Sequence, residues 1–500
     1  MTTSRPIRAV AMAGASALLL ALAACSEARV PESNSPPAPP PPRWGACPAE
    51  VAADAPQLQC GTVQVPLDYA DPDGPQIEVE ISRLASTKPE QRRGVLLLHP
   101  GGPGGSGLAL ANLLVSKGLP SSVLDSYDLI GMDTRGIGRS APVSCRFTND
   151  QEYYGNIPPY APDDATVTTQ ATLAREVAER CAAGAGDGRL AQLSTANMAR
   201  DLDQIRAALG ERKASYLGYS YGSALGAAYA AMFPDSTDRI VLDSNIGDTH
   251  LDRDGLRRYA MGMELAFPDF AKWVAERHEV YGLGRTPEEV RQRYLTLAGQ
   301  LDKAPVAGVD GAVFRLSTFV ALYSPGSYDQ AARAWMSLQG TGEAAPEPAP
   351  PAEPSAASPH DNTWSVFLAV TCNDVEWPHD DATYRRAVTE DRDRYPLYGA
   401  ASANINPCAY WQHGPAEPPV RISADGPRNV LIVQNQRDPV TPLRGGELLR
   451  EKFGERSRLV SVDAGGHGVY ILGGNPCARD TVTGYLVDGK LPDDTTCPAA

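Results

Sequence analysis

A serine held between two glycines is a residue whose surroundings suggest chemistry. Residues 216–230 read YLGYSYGSALGAAYA, in which Ser220 is flanked at a spacing of two by Gly218 and Gly222. The G-x-S-x-G pattern is typical of a sharp turn between a strand and a helix, which exposes the serine hydroxyl. Because that hydroxyl is a weak nucleophile until a base removes its proton, the pattern predicts catalysis only where a histidine and a carboxylate accompany it.

A histidine and two candidate carboxylates follow Ser220 along the chain. His467 lies in RLVSVDAGGHGVY, in a glycine-rich loop directly after an apolar run. Asp438 in NVLIVQNQRDPVTP and Asp243 in RIVLDSN each end an apolar run, and either could orient the imidazole. We favour Asp438, because its loop and the His467 loop follow neighbouring strands. Asp243 is then expected to cap or bond the turn that follows it.

A second glycine-rich stretch offers backbone N–H groups for a developing negative charge. Residues 96–107 read LLLHPGGPGGSG, and glycine lets a backbone amide approach a ligand closely. Because acyl transfer needs two such donors, we assign them to Gly102, with Gly101 as the near alternative, and to Tyr221. A phosphate-binding loop is the rival interpretation, but the stretch lacks the Lys-Ser/Thr ending of that motif. Asp133 and Arg135, in DTRGIGRS, are expected to hold a loop near the site.

The elements that must position these residues are visible as short apolar runs. Two β-rich runs, GTVQVPLDY and QIEVEISRLA, precede six others: GVLLLHP, YDLIGMD, ASYLGYS, RIVLDS, NVLIVQN and RLVSVDA. Nearly continuous apolar runs of this length are typical of strands buried on both faces. Helical stretches such as ANMARDLDQIRAALG lie between several of them. The alternation predicts an α/β protein with a mostly parallel sheet.

The alternation stops for about 180 residues before NVLIVQN, which is longer than a single crossover needs. Runs such as PEEVRQRYLTLAGQL have helical apolar spacing, so we expect an inserted, largely helical cap. The predicted organisation is a signal peptide at 1–24, a proline-rich tether at 25–43, a core at 44–245 and 426–500, and a cap at 246–425. A low-complexity Pro-rich stretch at about 342–362 is predicted to be a loop within the cap.

The N-terminus and the charge indicate where the protein works. A basic start, an apolar middle and small residues before Cys25 describe a bacterial export signal. The tetrad Leu-Ala-Ala-Cys ending at Cys25 resembles a lipoprotein box, and an ordinary cleaved signal is the alternative. The net charge of −15 argues against nucleic acid as a partner. We therefore expect an exported protein, tethered to the membrane by a lipid on Cys25 or else secreted.

Eight cysteines besides Cys25 are an even number, which in an exported chain predicts disulfides. We expect nearest neighbours to pair, as Cys47–Cys60, Cys145–Cys181, Cys372–Cys408 and Cys477–Cys497. Zinc is the rival use of these thiols, but no C-x-x-C spacing occurs. Neither a metal nor an organic cofactor is expected.

Six motifs together resemble a known family. HPGGPGGSG, DTRGIGRS, LGYSYGSALGAAYAAMFP, VLDSN, QNQRDPVTP and GGHGV occur in this order and look like those of the secreted tripeptidyl aminopeptidases and their proline-iminopeptidase relatives. The resemblance implies an α/β-hydrolase fold, a Ser220–Asp438–His467 triad and peptide substrates that are cut near a free N-terminus. It runs from about Cys47 to the C-terminus and is weakest in the cap.

The predicted function is therefore a serine exopeptidase. An esterase or lipase with the same triad is one alternative, because a fold does not determine the acyl group. A non-catalytic surface lipoprotein on a hydrolase scaffold is another. To recognise a substrate ammonium we expect a sheltered carboxylate, and FLAVTCNDVEWP offers Asp374 and Glu376 beside Cys372. A solvated acidic turn is the other interpretation of this pair.

Overall fold

Every apolar run predicted as a strand forms one, and all of them belong to a single ten-stranded sheet. The computed structural model of the chain describes residues 39–149, 157–184, 186–340 and 357–500. In chain order the strands are β1 Gly45–Ala46, β2 Gln59–Pro66, β3 Gln76–Leu84, β4 Gly94–His99, β5 Tyr127–Met132, β6 Ala214–Tyr219, β7 Thr237–Asp243, β8 Val430–Arg437, β9 Ser457–Gly465 and β10 Thr495–Cys497.

The strand order in the sheet is β1-β2-β3-β5-β4-β6-β7-β8-β9-β10. The pairings from β5 to β10 are all parallel, whereas β1, β2 and β3 run antiparallel to their neighbours. This mostly parallel sheet confirms the α/β-hydrolase fold predicted from the sequence.

Helices connect the strands and fill the long interval between β7 and β8. Those outside this interval are α1 Ala49–Ala52, α2 Leu110–Ser116, α3 Ser121–Ser126, α4 Asp164–Gly184, α5 Thr195–Ala208, α6 Tyr221–Met232, α15 Leu443–Phe453 and α16 Pro476–Asp488. Those inside it, which form the cap, are α7 Arg253–Ala275, α8 His278–Tyr281, α9 Pro287–Leu301, α10 Gly311–Ala321, α11 Tyr328–Leu338, α12 Asp361–Asp374, α13 Asp381–Arg394 and α14 Gly399–Ser402.

The strands are buried on both faces, as their apolar sequences predict. Along β4, Leu97 belongs to one hydrophobic core, and its neighbours Leu96 and Leu98 belong to the core on the opposite face. The core that contains Leu97 continues into the cap, where it includes Phe267 and Trp335. Cap and sheet therefore share one hydrophobic core on that face.

The cap packs closely on the strand ends. Helix α7 passes the turn after β8 with no room for a Cβ at Gly262, because the carbonyl oxygen of Pro439 occupies that space. A second cap helix, α12, makes a similar contact, because a Cβ on Gly104 in the glycine-rich loop would lie 2.5 Å from the carbonyl oxygen of Thr363. Two cap helices thus lie directly against loops that carry predicted site residues.

Four disulfides join the same nearest neighbours that the sequence predicts: Cys47–Cys60, Cys145–Cys181, Cys372–Cys408 and Cys477–Cys497. The predicted signal peptide, Cys25 and all but the last residues of the tether lie outside the described residues, as does most of the Pro-rich stretch in the cap. Helix α12 already begins at Asp361, before the predicted end of that stretch. None of the helices in the described ranges combines the length and apolar character that a membrane crossing requires.

The parallel strands bring the predicted chemistry to one edge of the sheet. Because parallel strands share a direction, the residues that follow them meet at the carboxyl edge. The glycine-rich loop follows β4, Ser220 follows β6, Asp243 ends β7, Asp438 follows β8 and His467 comes shortly after β9.

Candidate active site

Ser220 lies in a sharp turn between β6 and α6. Its backbone angles are φ 56° and ψ −123°, a conformation that a residue with a side chain adopts only when its surroundings force it. The Ser220 N–H donates to the carbonyl oxygen of Asp243 at 2.9 Å, which fixes the turn to the neighbouring strand. The serine is half-buried at the carboxyl edge of the sheet.

The two glycines around Ser220 are required by close contacts. A Cβ on Gly218 would collide with the carbonyl oxygen of Gly222 and would lie 2.6 Å from the ring of Tyr216. A Cβ on Gly222 would lie 3.0 Å from the carbonyl oxygen of His99 at the end of β4. Both glycines therefore let the turn fold tightly enough to present the serine.

His467 and Asp438 form a hydrogen-bonded pair. The Nδ1 atom of His467 lies 2.8 Å from Oδ2 and 3.1 Å from Oδ1 of Asp438. The carboxylate is fully buried, and it also accepts hydrogen bonds from the N–H groups of Val440 and Thr441 and from the Thr441 hydroxyl. A carboxylate bound in this way fixes the imidazole with Nε2 free to accept a proton.

The charge around His467 favours its protonated form. Burial opposes the imidazolium, but the nearby carboxylates of Asp438 and Asp243 outweigh burial, so the pKa of His467 is raised above its ordinary value. The raised pKa suits a base that must hold a proton during a reaction.

Asp243 holds the histidine loop instead of the imidazole. Its carboxylate is fully buried and accepts from the N–H groups of Val469 at 2.9 Å and Tyr470 at 2.7 Å. The hydroxyl of Ser244 donates to Asp243 and accepts from the N–H of Gly468. Burial raises the pKa of Asp243 to about 7. The predicted bond to its own turn is thus present through Ser244, and the contacts to the histidine loop are additional.

The strand that precedes Asp438 also supports this loop. The side-chain amide of Asn435 donates to the carbonyl oxygens of Gly466 at 3.0 Å and Gly468 at 3.2 Å, on either side of His467. Together with Asp243 and Ser244, this amide fixes the backbone around the histidine.

The glycine-rich loop lies against the serine. A Cβ on Gly101 would lie 2.7 Å from the carbonyl oxygen of Tyr219 and 2.9 Å from the Cβ of Ser220. The Gly101 N–H donates to Nδ1 of His99 at 3.1 Å, and burial lowers the pKa of His99 to about 4, so this ring is a neutral acceptor. Because that N–H is engaged, it is the weaker oxyanion donor of the two glycines. The N–H of Gly102 has no partner among the described residues.

The DTRGIGRS segment has the structural contacts that the sequence predicts. Asp133 accepts from the hydroxyl of Ser106, which belongs to the glycine-rich loop, at 2.5 Å. Arg135 is buried and pairs with Asp201 of α5 at 2.6 Å. Its guanidinium also donates to the carbonyl oxygens of Pro66 and Leu67. The segment ties the glycine-rich loop and α5 to the sheet.

Asp374 and Glu376 do not face the same surroundings. Asp374 ends α12 and is buried, and its two oxygens accept from the N–H of Thr195 at 2.8 Å and the Thr195 hydroxyl at 2.6 Å. That hydroxyl also bonds the Tyr221 hydroxyl at 2.6 Å, and burial raises the pKa of Asp374 to about 7. Glu376 is exposed.

Asp374 lines a cavity of about 230 Å³, with Thr195, Arg200 and Glu417 among the other lining residues. Among the described residues it has no ion pair with a lysine or arginine, whereas Glu417 pairs with Arg200 at 2.5 Å. The predicted use of Asp374 and Glu376 for a substrate ammonium stays a prediction.

Sequence reasoning missed several residues that support the site. His99, Asn435 and Ser244 each bond a loop that carries a predicted functional group. Their common signal is a polar side chain at the carboxyl end of an apolar strand, where an apolar residue would otherwise continue the run. Within the described ranges, no group of three or more His, Cys, Asp or Glu side chains could hold a metal ion.

Known proteins are similar to this chain along most of its length. Residues 395–497, which include Asp438 and His467, match the family model described as TAP-like protein. The tripeptidyl aminopeptidase of Streptomyces lividans is 36% identical over 472 residues, which cover 91% of this chain and 86% of the relative.

Two relatives from Mycobacterium tuberculosis carry different names. The serine protease Hip1 is 30% identical, with 87% of this chain and 86% of the relative covered. A protein named carboxylesterase B is 31% identical, with 90% of this chain and 88% of the relative covered. Identity of 36% over 91% of this chain shows that the similarity extends well outside the six motifs. The chain belongs to the tripeptidyl aminopeptidase family of α/β-hydrolases.

Proposed function

We propose that the protein is an exported serine exopeptidase that releases short peptides or single residues from free peptide N-termini. The observation that carries the proposal is the His467–Asp438 pair at the same sheet edge as the strained turn of Ser220. The 36% identity to a tripeptidyl aminopeptidase supports a peptide as the substrate.

In the first half of the reaction, Ser220 Oγ attacks the scissile carbonyl carbon. Nε2 of His467 takes the hydroxyl proton as the new C–O bond forms, and Asp438 stabilises the resulting imidazolium. The N–H groups of Gly102 and Tyr221 donate to the carbonyl oxygen as it becomes negative. The C–N bond then breaks, and the imidazolium gives its proton to the leaving amine.

In the second half, water releases the acyl group. His467 takes a proton from the water molecule as its oxygen attacks the ester carbon, and the proton then passes to Ser220 Oγ as the ester bond breaks. The products are the N-terminal fragment, now a free carboxylic acid, and the regenerated enzyme.

For recognition of the substrate's ammonium group, the proposal retains Asp374 and Glu376. An ionised carboxylate that is buried without a cationic partner attracts an ammonium group more strongly than an exposed one does. Asp374 meets this condition and lines a cavity, although neither Ser220 nor His467 is among the residues that line it, whereas Glu376 is exposed. Asp374 is therefore the stronger candidate of the two.

Peptide anilides test the proposed activity. A tripeptide anilide with a free amine, its N-acetylated counterpart and a short-chain ester would be compared with the wild-type enzyme and the Ser220→Ala variant. We expect turnover of the free-amine anilide, little turnover of the acetylated one and a loss of about 10⁴-fold or more in the variant. Turnover of the ester alone would contradict the peptidase proposal.

An esterase is the second candidate, because a protein named carboxylesterase B is 31% identical over 90% of this chain. The same triad cleaves an ester by the same two steps, with an alcohol as the leaving group. The ester in the preceding assay distinguishes this candidate directly.

We also propose export and a lipid anchor. The export signal that ends at Cys25 supports this, and four disulfides among the described residues suit an oxidising compartment. Metabolic labelling with an alkyne fatty acid, followed by mass spectrometry of the N-terminal peptide, should find lipid on Cys25 and none in Cys25→Ala. An unmodified N-terminus after export would indicate a cleaved, secreted form.

A further inference from the structure

A segment of the cap touches the backbone of the histidine. The N–H of His467 donates to the carbonyl oxygen of Tyr323 at 2.8 Å, and Tyr323 lies just beyond α10. Gly466 has φ +91°, and a Cβ there would lie 3.1 Å from the same carbonyl oxygen. Side chains at the strand ends also bond this loop: those of Asn435, Asp243 and Ser244 bond its backbone, and that of Asp438 bonds the imidazole. Tyr323 therefore adds a restraint that originates in the cap.

The ring of Tyr323 also touches the imidazole. The two ring centroids lie 5.4 Å apart with the planes at 63°, which is an edge-to-face arrangement. Such contacts between rings are directional as well as attractive. One residue thus contacts both the backbone and the side chain of His467.

Other aromatic residues hold the Tyr323 ring in place. Phe319, one turn earlier in the cap, meets it edge to face at 5.6 Å, and Phe319 is itself stacked on Tyr398 at 4.6 Å. Phe319 is fully buried, so this support is part of the hydrophobic core. Burial raises the pKa of Tyr323 well above its ordinary value, so the phenol stays neutral.

We propose that Tyr323 is a positioning residue, through which the cap holds the His467 imidazole in the orientation that catalysis requires. A hydrogen bond from Nδ1 to Asp438 fixes one end of the ring but permits it to tilt about that bond. A second contact, on the body of the ring, restricts the tilt and keeps Nε2 directed at one point. A small misplacement of a reacting group lowers the reaction rate greatly. Loss of this restraint should therefore slow the chemical step.

The inference rests on the proposed role of His467 as the base, so the experiment separates the two claims. In His467→Gln, turnover should fall by about 10⁴-fold or more, whatever Tyr323 does. If His467→Gln stays active, the proposed mechanism is wrong. If His467→Gln is inactive but the Tyr323 variants behave like the wild type, the inference about Tyr323 alone is wrong.

The test compares Tyr323→Leu with Tyr323→Phe on a peptide anilide and an ester. We expect the leucine variant to lose about 10- to 100-fold in kcat on both substrates, with KM changed less than about threefold. The phenylalanine variant keeps the ring and should stay within about threefold of the wild type. An equal loss in both variants would place the effect in the hydroxyl group and contradict the inference, as would full activity of the leucine variant.

Tyr281→Leu is the matched control. Tyr281 is a buried cap tyrosine whose ring contacts Trp273, so its loss weakens cap packing without touching the histidine loop. We expect this variant to lower the Tm while kcat stays near the wild-type value. A comparable loss of kcat in Tyr281→Leu would show that general cap destabilisation explains the result. If Tyr323→Leu does not fold, Tyr323→Met fills the space without a ring and takes its place with the same expected outcomes.

Discussion

Two neighbouring strands each end near a buried aspartate at the carboxyl edge of the sheet, yet the two carboxylates bind different partners. Asp243 at the end of β7 and Asp438 after β8 are both fully buried, and both lie near His467. Asp438 bonds the imidazole, whereas Asp243 bonds the backbone beyond it. Burial and position at a strand end therefore do not distinguish an aspartate that orients the imidazole from one that holds the loop. The hydrogen-bond partner of the carboxylate distinguishes them.

The local backbone explains part of this difference. Asp438 begins a turn in which its own carboxylate accepts from the N–H groups of Val440 and Thr441, so the side chain is held close to its own strand end. Asp243 is followed by Ser244, which has φ +57° and whose hydroxyl bridges to Gly468. The turn after β8 therefore holds the Asp438 side chain for its contact with the imidazole, whereas the turn after β7 holds the backbone of the loop that carries His467.

Among the buried aspartates, the largest expected effect comes from Asp438→Asn. The amide can favour the wrong imidazole tautomer, so we expect kcat to fall by about 10⁴-fold with little change in KM. Steady-state kinetics on the free-amine anilide measures this loss. A loss below about tenfold would mean that Asp438 does not orient the base.

A third buried carboxylate, Asp374, extends the comparison to substrate recognition. Replacing it by asparagine removes the charge but keeps an acceptor for Thr195. If Asp374 binds the substrate ammonium, kcat/KM on free-amine peptides should fall about 10- to 100-fold, since hydrogen bonds to charged groups contribute about 1.5–3 kcal/mol. Activity on a simple ester should be nearly intact. Glu376→Gln tests the exposed carboxylate in the same way, and equal losses on both substrates in Asp374→Asn would exclude this role for Asp374.

Asp243→Asn should affect stability more than chemistry. One carboxylate oxygen becomes an NH₂ group that cannot accept from the loop, and an unsatisfied buried group costs about 1–3 kcal/mol. We expect a lower free energy of unfolding in urea and a loss of activity of about tenfold, because the loop that carries His467 is loosened. A loss as large as that of Asp438→Asn would remove the distinction between the two turns.

The smallest expected effect is on pH dependence. His467 must be neutral to accept the serine proton, so activity should fall as the pH drops through its pKa. Because that pKa is raised, the midpoint of the acid limb of kcat/KM should lie above the ordinary histidine value of about 6.5. In Asp438→Asn the acid limb of the residual activity should have its midpoint at a lower pH, because the Asp438 charge that raises the pKa of His467 is absent. An unchanged midpoint would contradict this electrostatic account.

The sequence was sufficient for the features that depend on local pattern. The strands are identifiable because runs such as NVLIVQN are apolar and bounded by turns, and the position of Ser220 follows from its two glycines. The order of strands along the chain also predicts that Asp438 and His467 meet, and their side chains are hydrogen-bonded.

Contacts between distant segments were not predictable in the same way. Nothing in the local sequence of Tyr323 indicates that its carbonyl oxygen accepts from His467, because the contact depends on how α10 lies on the sheet edge. The contacts of Asp374 were not predictable for the same reason, since its partner Thr195 lies far away in the chain, at the start of α5. The cap helices were recognisable from their apolar spacing, but their packing on the site was not.

The most direct test of the account is the rate at which a fluorophosphonate modifies Ser220. Peptide mapping by mass spectrometry would locate the adduct and time its formation in the wild type, Asp438→Asn and Asp243→Asn, with Ser220→Ala as the blank. We expect an adduct on Ser220, a rate at least about 100-fold lower in Asp438→Asn, and a rate within about tenfold of the wild type in Asp243→Asn. An adduct elsewhere, or a greater loss in Asp243→Asn than in Asp438→Asn, would contradict it.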